Sequence, residues 1–101
     1  MRKIKLTQIK QVRIFILKNL NRVYPTPLQV RRMFRVIVGF DEHYDKLLLA
    51  KDLNYLKQKG YIEYVDEYIG GADTFEEKFV GLTAEGKEIA ERTQTDPALE
   101  I

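Results

Sequence analysis

The chain of 101 residues has no cysteine. Disulfides and thiolate metal sites are therefore excluded, and an intracellular, cytoplasmic setting is expected. There is one histidine, His43. With no thiol and no second imidazole, Cys-His and Ser-His-Asp arrangements lack their members, and no carboxylate pair stands out from the general acidity, so no enzyme is expected. The acids around His43 (Asp41, Glu42 and Asp45) are hard oxygen donors at a spacing that fits no metal loop, so neither a metal nor a cofactor is expected. The longest apolar runs, Ile14 to Leu17 and Val36 to Phe40, are too short for a bilayer, and no run of secretory length follows the basic start. Internal repeats and low-complexity segments are also missing. At 45% apolar and 32% charged residues, the composition is that of a soluble globular domain, expected over 1–92 with a polar, flexible tail over 93–101.

One further absence carries more information. From Met1 to Phe40 there are ten Lys or Arg and no Asp or Glu, whereas the rest of the chain holds seven basic residues and all fifteen acids. The halves run +10 and −8 behind a formal net charge of +2. A block that basic, laid on helices, offers a positive face to an anionic partner, nucleic acid first, approaching from the N-terminal side. The same asymmetry would also let the basic block of one copy meet the acidic hairpin of another.

Periodicity divides the chain into four helices and a hairpin. Thr7 is placed to cap a first helix running to about Arg22, with Ile9, Val12, Ile16, Leu20 and Val23 as its buried stripe and Lys10, Arg13 and Lys18 toward solvent. Tyr24-Pro25 ends it. Thr26 as N-cap, Pro27 as first helical residue and Gln29 in capping-box position predict a second helix. Its core side is Val30, Met33, Phe34 and Ile37, Gly39 is its stop, and Arg31, Arg32 and Arg35 face away. Asp45 caps a third helix, Lys46 to Lys59, closed by Gly60, with Leu49, Leu53 and Leu56 inward. Leu47 and Leu48 fall outside that stripe and read as packing, a dimer seam or a protein-contact surface. After Gly60 the period becomes two: Ile62, Tyr64 and Tyr68 run out, Gly70-Gly71 turns, and Phe75, Phe79, Val80 and Leu82 return. Thr83 caps a short fourth helix, Ala84 to about Arg92. Gly70-Gly71 lacks the Lys-Ser or Lys-Thr and the following helix of a phosphate loop.

The passage Leu53-Asn54-Tyr55-Leu56-Lys57-Gln58-Lys59-Gly60-Tyr61-Ile62 resembles the "L-x-x-L-x-x-x-G-hydrophobic-hydrophobic" step from third helix into wing of winged helix-turn-helix domains. Leu82-Thr83-Ala84-Glu85-Gly86 is similar to their "L-T-x-x-G" entry to the helix after the wing. With the chain's size, the double glycine and the ending Asp96-Pro97-Ala98, the whole resembles the small winged-helix proteins of Mu-like prophages. The resemblance implies an α+β fold, mainly α, with a three-helix core, a two-stranded wing and a short C-terminal helix. It also implies a phage-like regulatory or accessory role. In such domains the third helix enters the major groove of double-stranded DNA. That gives Lys46, Ala50, Lys51, Asn54 and Lys57 as base- and groove-facing candidates, and a homodimer as the expected assembly.

The sequence also departs from that family. Asp41, Glu42 and Asp45 crowd the turn before the third helix. The wing carries Glu63, Asp66, Glu67, Asp73, Glu76 and Glu77 against Lys78 alone, and a phosphate backbone repels it. DNA contact is therefore expected to shift onto a basic face of Arg2, Lys3, Lys5, Arg31, Arg32 and Arg35. The alternative is a protein-interaction module that uses the acidic wing, with Leu47 and Leu48 as contact surface and no nucleic acid bound.

Overall fold

The computed structural model describes residues 6–65 and 74–95, with side chains over 11–65 and 74–92. Helix α1 (Leu6–Arg22) is followed by a two-residue strand β1 (Leu28–Gln29), α2 (Val30–Phe40), α3 (Lys46–Gln58), β2 (Ile62–Tyr64), a single 3-10 turn (Phe75–Glu77), β3 (Phe79–Leu82) and α4 (Ala84–Thr95). The protein is mainly helical, with a small antiparallel sheet in the order β1-β3-β2. No helix among the described residues is long and apolar enough to cross a membrane.

The three-residue spacings set the core. Val12, Ile16, Leu17 and Leu20 of α1 meet Val30, Met33 and Ile37 of α2 and Leu49, Leu53 and Leu56 of α3, all buried. Ile62, Val80, Leu82 and Ala90 close the cluster from the sheet and α4. Each fully buried leucine contributes about 1.5–3 kcal/mol over its exposed state. Phe34, expected in the core, is partly buried at its margin.

The third helix forms as its sequence signals require. The Asp45 carboxylate accepts the Leu48 N–H at 2.8 Å, satisfying a donor that the first turn leaves open. At the other end Gly60 takes φ +80, the left-handed conformation that glycine adopts without a Cβ penalty.

The start of α2 departs from expectation. Thr26 does not cap and Pro27 is not helical: α2 begins at Val30, and Leu28 and Gln29 pair with Val80 and Phe79 as an edge strand. The Val30 N–H donates to the Lys78 carbonyl at 2.9 Å, so the sheet does the work expected of a side-chain cap. The sheet therefore has three strands where a two-stranded hairpin was expected. Gly39 does not stop α2, which runs on to Phe40. The return strand begins at Phe79, because Phe75 lies in the 3-10 turn. Thr7 lies within α1 and does not precede it; α3 stops at Gln58 with Lys59 as its cap; and α4 continues past Arg92. Gly70-Gly71, Tyr68 and Asp96-Pro97-Ala98 lie outside the described residues.

One junction ties β2, β3 and α4 together. The Thr83 hydroxyl accepts the Gly86 N–H at 3.0 Å, capping α4, and donates to the Gly60 carbonyl at 2.6 Å. The Thr83 N–H donates to the Tyr61 carbonyl at 3.0 Å. Gly86 lies against that same carbonyl, so closely that a Cβ would overlap the Tyr61 backbone, which cannot swing aside as a side chain could. Gly86→Ala should therefore destabilise by about 3 kcal/mol or more in urea denaturation. Gly39→Ala, in a helix with open space around the new methyl, should stabilise by about 0.5–1 kcal/mol. Equal effects at the two positions would contradict this account of the junction.

Candidate nucleic-acid interface

With Leu49, Leu53 and Leu56 turned inward, helical geometry puts the other side of α3 in solvent. Lys46, Leu47, Lys51, Asn54 and Lys57 are exposed and Ala50 is half-buried between them. The five positions expected to face a groove, Lys46, Ala50, Lys51, Asn54 and Lys57, thus share one side of one helix, with Leu47 beside them. Lys57 sets its ammonium 5.2 Å from the centroid of the Tyr64 ring, and Lys78 sits 5.3 Å from the same ring. This places a cation of α3 beside the one that immediately precedes β3.

On α2, Arg32 and Arg35 are exposed and Arg31 half-exposed. Arg2, Lys3 and Lys5 lie outside the described residues. The basic face also carries apolar area: Val36 and Phe40 are exposed, and the Phe40 ring meets Phe15 of α1 edge-on at 5.1 Å between centroids.

Two expected phosphate-binding cations are already engaged. Lys46 Nζ donates to Glu76 Oε1, and Arg31 Nε lies 3.7 Å from Glu76 Oε2. The hydrogen bond from Lys46, reinforced by the charges of Lys46 and Arg31, holds the Glu76 carboxyl below its ordinary range. Glu76 therefore does not add to the repulsion expected of an acidic hairpin, because it is neutralised locally. Asp66, Glu67 and Asp73 lie outside the described residues, while Glu63 is exposed on β2. His43 is exposed in the α2–α3 turn, its ring nitrogen 3.6 Å from Glu42.

The two leucines separate. Leu48 is half-buried and packs against the core, whereas Leu47 is 64% exposed at the first turn of α3.

What orients α3 was not expected. Asp52 is a buried charged residue, 6% exposed, on the inward side of the helix. Its Oδ2 accepts the Tyr44 hydroxyl at 2.7 Å and its Oδ1 accepts Arg13 Nε at 3.2 Å. Arg13, expected at the solvent face of the first helix, instead turns inward and stacks on Tyr55, its guanidinium carbon 3.7 Å from the ring centroid. The reason is that a buried carboxylate needs a cation, and the Arg side chain reaches it while its plane covers an aromatic face. One carboxylate thus ties α1, α3 and the α2–α3 turn together. The only trace in the sequence is position: Asp52 falls three residues after Leu49 and four before Leu56, within the buried stripe.

Compared with protein-family models, curated proteins and solved structures, the chain matches none of them.

Burial raises the Asp52 carboxyl above its ordinary value of 3.8, against the opposing pulls of the Tyr44 hydroxyl and the Arg13 guanidinium. Burial, together with the bond to Asp52, also raises the Tyr44 phenol, which stays a neutral donor. A carboxyl whose folded pKa exceeds its unfolded one holds its proton more tightly when folded. Its contribution to stability therefore grows as pH falls through the folded pKa and is complete below the unfolded value. Asp52→Asn removes that titration. Relative to this variant, wild type should gain stability as the pH is lowered from neutrality through the carboxylate range, measured by urea denaturation at each pH. A flat difference, or one of opposite slope, would contradict the assignment.

Proposed function

We propose that this protein is a winged-helix DNA-binding regulator that reads double-stranded DNA with the outer face of α3 and holds the backbone with the arginines of α2. The observation that carries the reading is the set Ala50, Lys51, Asn54 and Lys57 on one open face of a helix whose other face is buried. The element order supports it: three helices, then a hairpin whose strands also take up the short strand between the first two helices, then a helix entered through Leu82-Thr83-Ala84-Glu85-Gly86. The first-forty charge block supports it independently, since α1 and α2 carry no carboxylate that a phosphate would meet. In this mode Asn54 pairs with a base edge, and Lys51 and Lys57 with bases or phosphates. Arg32 and Arg35 meet the backbone, joined by Arg2, Lys3 and Lys5. The role in the cell is transcriptional regulation or a phage-like accessory function.

Leu47 favours a second reading, a protein-interaction module or the seam of a homodimer, because a leucine 64% exposed at the mouth of a helix gains by being covered. The acidic hairpin would serve the same role.

Fluorescence anisotropy against a random-sequence duplex at several salt concentrations tests the main reading. Micromolar binding with a log–log salt slope of about −3 to −6 is expected, corresponding to several neutralised phosphates. Arg32→Ala and Arg35→Ala should weaken binding to all sequences alike. Once a specific site is selected, Lys51→Ala and Asn54→Ala should each cost about 1–3 kcal/mol there and little on random DNA. No binding at low salt would sink the reading. For the second reading, Leu47→Ser should shift sedimentation equilibrium toward monomer, and an unchanged molecular mass would remove Leu47 from any self-association.

A further inference from the structure

The 3-10 turn that carries Glu76 is fixed from both sides. Phe75 packs against the core, the Lys78 N–H donates to the Phe75 carbonyl at 3.3 Å, and the Lys78 carbonyl accepts the first N–H of α2. The Glu76 backbone is thus set beside the N-terminal turn of α2, across from the N-terminal turn of α3. Its two carboxylate oxygens then divide between two helices. Oε1 takes the ammonium of Lys46, the first residue of α3, and Oε2 faces the Arg31 guanidinium of α2 at 3.7 Å.

Two cations converging on two oxygens of one anion is also how a protein holds the non-bridging oxygens of a phosphate. The arrangement is open to solvent, with the Arg31 and Lys46 side chains 43% and 54% exposed and that of Glu76 33% exposed. An incoming anion can therefore reach both cations without unfolding anything. The Lys46 methylene stem is steered from below as well, its ammonium 5.9 Å from the Phe34 ring centroid.

We infer that Arg31 and Lys46 form a site for one phosphate of the nucleic-acid backbone, and that Glu76 fills this site in the free protein as an internal stand-in. The inference rests on the DNA-binding reading above and adds to it a competitor built into the hairpin. A backbone phosphate at this position exchanges with Glu76, so the two cations contribute less to affinity than their exposure suggests.

The test uses the full chain in four forms: wild type, Glu76→Gln, Glu77→Gln and the double variant Glu76→Gln with Lys46→Ala. All are titrated by fluorescence anisotropy against one random-sequence duplex over a salt series. Glu77→Gln removes the same charge from the adjacent position and so measures the general effect of net charge. Glu76→Gln should bind more tightly than Glu77→Gln by about five- to ten-fold at low salt, because no carboxylate has to be displaced before the phosphate is bound. The double variant should lose that gain. If wild type binds and Glu76→Gln does no better than Glu77→Gln, the phosphate site is wrong while the DNA-binding reading stands. If none of the four forms binds even at low salt, the DNA-binding reading falls and takes this inference with it.

Discussion

Asp52 puts a carboxylate at the point where α1, α3 and the α2–α3 turn meet, and the pose of α3 depends on how that charge is satisfied. The apolar contacts of Leu49, Leu53 and Leu56 are greasy and tolerant, and would permit the helix to roll or slide by fractions of a turn. The bonds to Arg13 and Tyr44 are directional and would not. A buried ion pair adds little net stability against an apolar substitute, because desolvation offsets the attraction. Its role here is to fix the rotation of the helix, and with it the side on which Ala50, Lys51, Asn54 and Lys57 emerge.

Charge is handled in the same way at a second place. At Glu76 a carboxylate meets cations from two helices and at Asp52 one cation and a phenol, and the former is open to water while the latter is closed. The closed one is exchanged with nothing and is structural. The open one faces the same solvent as any ligand, so its cations are held ready rather than consumed. The +10 block of the first forty residues is therefore not one uniform field. Arg13 is spent inside the protein, Arg31 is shared with Glu76, and Arg32 and Arg35 face out.

Much of this was legible in the sequence wherever the signal was local. Asp45, the leucine spacing and Gly60 define α3 from its own residues, and they do so because caps and left-handed stops act within one turn. Thr83 and Gly86 likewise mark the entry to α4. β1 was not legible, since Leu28-Gln29 is too short to show a period and Thr26-Pro27 has the form of a helix start. What decides that segment is Val80 and Lys78, far along the chain, and no local rule contains them. Arg13 and Asp52 failed for a related reason. Each is an ordinary surface residue type, and only the other makes its burial tolerable. The candidate groove face was readable because exposure follows from the buried stripe. The partner of Lys46 and Arg31 was not, because Glu76 belongs to a turn that the alternating pattern assigned to a strand.

The pairing of Leu28 with Val80 also orders events in time. Strand β1 must wait for a strand made much later and for the closure of the long loop between them, and α1 must wait longer still for α4, the helix against which it packs most extensively. A chain growing from its N-terminus therefore completes neither the sheet that starts α2 at Val30 nor the packing of α1 until its last helix is made.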